Sequence, residues 1–368
     1  AHPPAATGKR RVVADDVVEL EYGSGVVMIC TIGDKEDLRW VFKYGLQLEK
    51  GIDENGNMTS LAGPYEGLPL KEARQKIIDD LDDKGILVKQ EDNPQNVGTC
   101  WRCHEHIEYL QVPQWFVKIL DMKDEIKKMA DDIEWWPEFM KVRLREWVDS
   151  LSWDWVISRQ RYFATPIPVW ECEECGEVVL PEEESCYIDP TTDAPPVAEC
   201  PKCGGNLKGS EEVFDTWMDS SITPLYNSFW IRDPALFKKL YPMSLRPQSH
   251  DIIRTWAFYS MVRGSRLADQ KPWETIMMGG FILAPDGTPM HASKGNAVNP
   301  LEFHKNFGAD PIRYYAATCT LGKDHPFRIK DVKRGSQIVR KLLNMEKLIS
   351  QAFSELEPNE LHAIKELM

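Results

Sequence analysis

Gly279-Gly280-Phe281-Ile282-Leu283-Ala284-Pro285-Asp286-Gly287-Thr288-Pro289-Met290-His291-Ala292-Ser293-Lys294-Gly295-Asn296-Ala297-Val298-Asn299-Pro300 is the stretch around which the chain is organised. Gly279 to Leu283 is an apolar run and predicts a short buried strand. Pro285-Asp286-Gly287 carries turn chemistry. A polar loop containing Ser293 and Lys294 follows, and a helical segment is predicted from Pro300. A loop that leaves a strand end with hydroxyl, amide and ammonium donors suits a phosphate whose charge changes during reaction. The same residues also make an ordinary surface loop, and the stretch alone leaves both readings open.

Around it, residues 213–320 alternate between strand-like and helix-like segments. Leu245-Arg246-Pro247-Gln248 predicts a strand leading into a helix from Asp251. Thr275-Ile276-Met277-Met278 predicts another strand, and helices are expected near Asp310–Ala317. That order is one half of a doubly wound parallel sheet. Asp251 stands at a strand-to-helix turn, where a carboxylate can cap the helix, accept the ribose hydroxyls of a nucleotide, or do both.

Further upstream, Arg11–Ala14, Val17–Tyr22 and Val26–Cys30 alternate like strands, turned by Gly23-Ser24-Gly25. Gly33-Asp34-Lys35-Glu36-Asp37 is expected to cap a helix beginning near Leu38, which places Asp34 and Asp37 at the helix start, where acidic residues are favoured. Residues 71–86 predict an amphipathic helix closed by Gly85. Gln114–Val117 reads as a strand, and Lys123–Ile133 as a second amphipathic helix.

The composition bounds the possibilities. The 368 residues, 42% hydrophobic and 28% charged, can hold two or three domains with a sizeable core. No apolar run is long enough to cross a membrane. The N-terminus lacks the apolar run of a secretory signal. It also lacks a starting methionine, so a processed or excised chain is expected. The net charge of −14 is not the balance of a chain that binds nucleic acid over its whole surface. Residues 321–347, however, hold eight Lys or Arg and three Asp or Glu, so 8 − 3 = +5. That stretch is either a phosphate-binding face or a solvated helix face.

Six of the nine cysteines form Cys-x-x-Cys pairs: Cys100/Cys103, Cys172/Cys175 and Cys200/Cys203. In a chain of cytosolic composition this spacing points to metal rather than to disulfides. Cys172-Glu-Glu-Cys175-Gly and Cys200-Pro-Lys-Cys203-Gly-Gly are expected to flank a Pro-rich hairpin and to close one tetrahedral, structural zinc site. Cys100/Cys103 is half of such a site, and completing it locally with His104 and His106 is sterically awkward.

Three ordered segments carry a resemblance. The loop ending Gly295-Asn296-Ala297-Val298-Asn299-Pro300 resembles the Lys-Met-Ser-Lys-Ser signature of class I aminoacyl-tRNA synthetases. Ser249-His250-Asp251-Ile252-Ile253-Arg254-Thr255-Trp256 and Asp215-Thr216-Trp217-Met218-Asp219-Ser220-Ser221 precede it in family order. Together they are similar to the valyl enzymes of archaeal type, over nearly the whole chain.

The resemblance implies an α/β fold in which residues 213–322 are the second half of a class I synthetase Rossmann-like parallel sheet. Residues 1–112 would be the C-terminal part of a β-rich editing domain and 113–171 a catalytic segment. Residues 172–212 would be a zinc-ribbon insertion, and 323–368 the start of an anticodon-binding helical domain. It implies activation of valine with ATP and Mg2+, transfer to tRNA-Val, and hydrolytic editing of threonyl-tRNA, by a cytoplasmic enzyme that is monomeric when complete.

Implied ATP-binding positions are Asp251, Gly279, Gly280, Met290, Ser293 and Lys294, with Ser293 and Lys294 also catalytic. Phe163 and Trp217 are implied in the amino-acid pocket. Tyr22, Met28, Cys30, Asp34 and Asp37 match positions that line the editing pocket, where Asp37 would hold the substrate's ammonium. The metal partners of Cys100 and Cys103 would lie upstream of this chain, leaving that site empty or partial.

The chain also departs from the family pattern. The two signature lysines fall on Pro289 and Ala292, and Lys294 is offset by two positions. Gly33 and Met28 replace a His and a Lys of bacterial relatives. No His-Ile-Gly-His occurs in the chain, and the Thr-rich wall of the editing pocket is absent. The isolated chain is therefore expected to be an inactive fragment. An isoleucyl enzyme is the alternative within the family, disfavoured by the segments at Asp215–Ser221 and Ser249–Trp256. A non-catalytic, zinc-stapled tRNA-binding module is the alternative outside it.

Overall fold

The computed structural model describes residues 11–21, 24–27, 29, 32–33, 35–46, 49–91, 96–100, 103–291 and 294–354. The chain divides into two compact units, Ala1–Pro113 and Gln114–Met368.

The larger unit is built on the strand Trp273–Gly279. Its Ile276 and Met278 side chains are fully buried two residues apart, on one face of the pleated strand, and Trp273 is fully buried at its start on the other face. It pairs in parallel on both edges. Glu134–Trp136 lies on one side, with Thr275 opposite Glu134. Met243–Ser249 lies on the other, with Gly279 opposite Ser249. Parallel neighbours need a crossover. From Ser249 it runs through the 3-10 turn His250–Ile252, a π-helical turn Ile253–Ala257 and the helix Phe258–Ala268.

Two further helices, Lys123–Asp131 and Met140–Ser150, supply Ile126 and Ala130, and Met140, Leu144 and Val148. These sit four residues apart, on one helical face. They join Trp256, Phe258, Met261 and the central strand in a single core. Trp256 stacks on Trp273 at 5.3 Å between ring centroids.

A separate small antiparallel sheet holds Trp170–Cys172 between Val178–Val179 and Leu207–Gly209. The hairpin therefore lies within the first cysteine pair's own turn. Beyond Val179, the Pro-rich stretch 180–199 leading to the second pair, expected as the hairpin, carries no strand and only the short 3-10 turn Glu183–Ser185.

The organising stretch also differs from expectation. Gly279–Leu283 is not one buried strand. The central strand stops at Gly279, and a second short strand, Ile282–Leu283, pairs in parallel with His325–Pro326. Phe281 and Ile282 are 41% and 39% exposed. The break falls at Gly280 because another segment of backbone crosses there: a Cβ on Gly280 would lie 1.9 Å from the Lys323 carbonyl oxygen. After the loop come the helices Pro300–Phe307 and Ala309–Thr318, then the long helix Ile329–Ser354. Gly335 lets that helix approach Pro311, whose Cα would stand 3.0 Å from an added Cβ. The helical reading of 355–368 lies outside the described residues.

In the smaller unit the strands expected at 11–30 are not formed among the described residues, which make turns and irregular chain. Alternation predicts a strand only where a partner strand is available, and described pairing in this unit is confined to isolated bridges such as Ile52 with Met58. The helices Lys35–Tyr44 and Leu70–Asp83 are present. The second closes on Gly85, whose φ of +62° favours glycine.

Leu144→Ala empties a fully buried position in a core shared by two helices and the sheet. It is expected to cost about 2–5 kcal/mol in urea unfolding. Leu342→Ala, on the exposed part of the long helix, is expected to stay within about 0.5 kcal/mol. Equal effects would contradict this placement of the core.

Candidate functional site

Because the sheet is parallel, its strands end on a common side, and open α/β sheets bind ligands there. The strand ends Ser249 and Gly279 lie opposite each other. Asp251 follows Ser249 and is exposed, and its carboxylate has no hydrogen-bond or ion-pair partner among the described residues. Beside it the Gln248 amide and the Ser249 hydroxyl are buried without a partner among those residues. Unpaired buried polar atoms are costly and call for an explanation such as a ligand or a water.

Asp324 reaches into the same place. Its Oδ1 accepts the Phe281 amide at 2.8 Å and the His250 Nε2 at 2.7 Å. The Nδ1 of His250 lies 3.2 Å from Arg143 Nη1. Arginine only donates, so Nδ1 accepts and Nε2 carries the proton given to Asp324. His250, and after it the Phe281 amide, hold the Asp324 carboxyl below the usual carboxylate range. Neither Asp324 nor Arg143 emerges from sequence reading. They come from segments far apart in the chain, and no local pattern marks them.

The loop beyond is closed by Asn296. Its Oδ1 accepts the His291 amide at 2.8 Å, and its Nδ2 donates to Thr288 Oγ1 at 3.2 Å and the Pro289 carbonyl at 3.1 Å. The sulfur of Met290 accepts the Val298 amide at 3.4 Å. Lys294 is exposed, and its ammonium has no partner among the described residues. Ala292 and Ser293 lie outside the described residues.

A second group surrounds Asp215. This carboxylate is buried, pairs with Arg159 at 3.2 Å and accepts the Trp155 indole N–H at 3.2 Å. Trp155 stacks on Tyr259 at 3.8 Å. Burial raises the Asp219 carboxyl nearby and pushes the Tyr259 phenol up to about 12. Trp217 packs against the core here. Phe163 is 90% exposed in this chain, two residues beyond Arg161 and past the end of the strand Ser158–Arg159.

In the smaller unit Asp37 accepts the Gly33 amide at 2.8 Å, satisfying a donor just ahead of the helix Lys35–Tyr44. Tyr22, Met28, Cys30 and Asp34 lie outside the described residues.

The cysteines give three turns of one geometry. In each, the first cysteine's amide donates to the carbonyl five residues on, and the residue four on donates back. The distances are 2.9 and 2.9 Å at Cys172, 2.9 and 2.9 Å at Cys200, and 2.8 and 2.8 Å at Cys100. The fourth residue has positive φ each time: Gly176 (+69°), Gly204 (+75°) and His104 (+62°). Two of these turns face each other. The sulfurs of Cys172, Cys175, Cys200 and Cys203 all lie within 4.8 Å of one another. Cys172–Cys203 is 3.4 Å and Cys175–Cys200 is 3.7 Å. A tetrahedral ion with metal–sulfur bonds of about 2.3 Å sets its sulfurs about 3.8 Å apart, so this donor set fits one. Burial pushes the Cys172 thiol up to about 12. At Cys200 burial acts the same way, but donors led by the Lys202 amide outweigh it and bring the thiol to about 7. Cys100 and Cys103 join no such group among the described residues, as expected of a half-site whose partner pair is not in this chain.

The family model described as tRNA synthetases class I (I, L, M and V) matches residues 24–328. The chain is 46% identical over 357 residues to the valine--tRNA ligase of Methanococcus maripaludis, covering 97% of this chain and 40% of that protein. It is 48% identical over 337 residues to that of Methanocaldococcus jannaschii, covering 91% and 38%. With that of Methanopyrus kandleri it shares 47% over 340 residues, covering 92% and 37%. The chain thus spans about two fifths of the length of the curated relatives it matches.

Metal analysis of the purified chain is expected to give about one divalent ion per chain. Cys200→Ser should lose the ion and lower the melting temperature, whereas Cys100→Ser should leave the content unchanged. An unchanged content in Cys200→Ser would remove the assignment.

Proposed function

The chain belongs to the class I tRNA synthetases (I, L, M and V), and from that premise we propose that it supplies part of a valine--tRNA ligase. The observation that carries the proposal is the strand-end group: a free Asp251 carboxylate, unpaired Gln248 and Ser249 atoms, and a donor-bearing loop rooted at the next strand. In this reading Asp251 accepts the ribose hydroxyls of ATP, and the Gly279-Gly280 backbone lies against the nucleotide. Met290 steadies the loop, while Ser293 and Lys294 meet the phosphates. Valine's carboxylate attacks the α-phosphorus, pyrophosphate leaves, and the terminal ribose of tRNA-Val then takes the acyl group. No protein nucleophile is required; positioning and charge stabilisation supply the rate. Mg2+ enters with ATP.

The domain roles follow the family. Residues 1–112 serve editing, 113–171 and 213–322 catalysis, and 172–212 form a zinc ribbon. Residues 323–368 begin the helical tRNA-binding part, which the excess of six Lys or Arg over two Asp or Glu in Ile329–Ser354 suits. Zinc is the ion proposed for the four sulfurs, as a structural element. Trp217 and Phe163 are proposed for the amino-acid pocket.

A chimera in which this chain replaces the matching residues of the Methanococcus maripaludis enzyme tests the reading. It should exchange pyrophosphate into ATP with valine, whereas the isolated chain, without His-Ile-Gly-His, should not. Asp251→Ala in the chimera should lower exchange by roughly tenfold to a hundredfold, the loss of a charge-assisted hydrogen bond. An inactive but folded chimera would reject the proposal.

Editing gives a separate prediction. A pocket shaped for valine admits the isosteric threonine, valyl enzymes themselves being the worked instance of that limit. Asp37 is proposed to hold the ammonium of the misacylated product. Asp37→Ala in the chimera should slow threonyl-tRNA hydrolysis by roughly tenfold to a hundredfold and spare valine activation. A role confined to the Gly33 amide predicts slightly earlier melting with normal editing.

A further inference from the structure

We propose that Asp324 is a positioning residue whose Oδ1, shared by the Phe281 amide and His250 Nε2, pins the root of the loop Asp286–Pro300 to the end of strand Met243–Ser249. Three observations lead there. Phe281 follows the break at Gly280, where the chain leaves the sheet, so its amide cannot be satisfied by the central ladder. Asp324 supplies that acceptor from 43 residues away. The same oxygen takes the proton of His250, the residue directly after the strand end Ser249. His250 is in turn held by Arg143 on the helix Met140–Ser150, which fixes its tautomer and leaves it one way to donate.

The surrounding backbone repeats the linkage. Gly322 donates to the Met278 carbonyl, His325 to Phe281 and Phe327 to Leu283, at 2.8, 2.8 and 2.9 Å. Lys323 presses its carbonyl against Gly280 so closely that no side chain fits. His250 also meets the Phe281 ring edge-on at 5.1 Å. The segment that carries Asp324 runs two residues beyond Phe327 into the basic helix Ile329–Ser354. The pin therefore joins the start of that helix, the root of the loop and the turn that bears Asp251. Its consequence for nucleotide binding rests on the reading under Proposed function, but the pin itself is a property of this chain's backbone.

Hydrogen exchange on the isolated chain tests it. Both contacts use one acceptor atom, so Asp324→Asn can keep them while Asp324→Ala cannot. In Asp324→Ala the protection of the Phe281, His325 and Phe327 amides should fall roughly tenfold, the effect of one lost hydrogen bond to a charged group. The Ile276 and Met278 amides should be unaffected, and Asp324→Asn should restore protection at Phe281. Unchanged exchange at Phe281 in the alanine variant would overturn the proposal. So would equal losses at Ile276 and Met278, or an asparagine variant no better than alanine. Because exchange needs no nucleotide, a failed pin and a failed ligase reading give different results: the latter leaves the exchange pattern intact in an inactive chimera.

Discussion

The strand Trp273–Gly279 has a parallel neighbour on each edge, and parallel neighbours cannot be joined by a tight turn. Every other feature of the larger unit accommodates that constraint. Between Trp136 and Trp273 the chain must leave the sheet and return in the same direction. It does so by way of the helix Met140–Ser150, the cysteine ribbon, the Asp215 group and the strand Met243–Ser249. From Ser249 it returns by a single crossover. The same constraint brings Ser249 and Gly279 to one side, so the groups that follow each strand, Asp251 and the loop, are gathered without a dedicated scaffold.

Two carboxylates near this sheet show how environment divides the roles of like residues. Asp215 is buried but receives an arginine, an indole N–H and a backbone amide, so its charge is compensated. Asp219, four residues later on the helix Thr216–Ser220, is half-buried without an ion-pair partner among the described residues, and burial raises its carboxyl. Asp215 is thus a fixed strut between the Ser158–Arg159 strand and that helix. Asp219 is the more responsive of the two to a new cation beside it.

What could be read from the sequence was what is local. The strand at Thr275–Met278, the helix from Pro300, the turn at Asp286-Gly287 and the C-cap at Gly85 each depend on residues within a turn or two. The position of Asp251 was legible because it needs only a strand followed by a helical turn. Asp324, His250 and Arg143 were not, since their meeting joins segments 74 and 107 residues apart and follows no period. The N-terminal alternation misled because a strand is a property of a pair, not of a segment.

The cysteine turns separate these two levels within one molecule. Cys100–Glu105, Cys172–Glu177 and Cys200–Gly205 adopt the same hydrogen-bond pattern and the same left-handed fourth residue, although that residue is histidine in one case and glycine in the others. Positive φ costs histidine more than glycine, so the turn at Cys100 is held by its backbone pairing rather than by residue preference. The knuckle is therefore encoded in six residues. A metal site is not: it needs a second knuckle at sulfur–sulfur distances near 3.8 Å. The strand Trp170–Cys172, paired directly with Leu207–Gly209, brings the second knuckle to the first in the ribbon. The Cys100 turn is flanked by the isolated bridge between Thr99 and His106, which closes the turn on itself. Cys-x-x-Cys in this chain specifies a shape, and the sheet decides which two of the three shapes become a site.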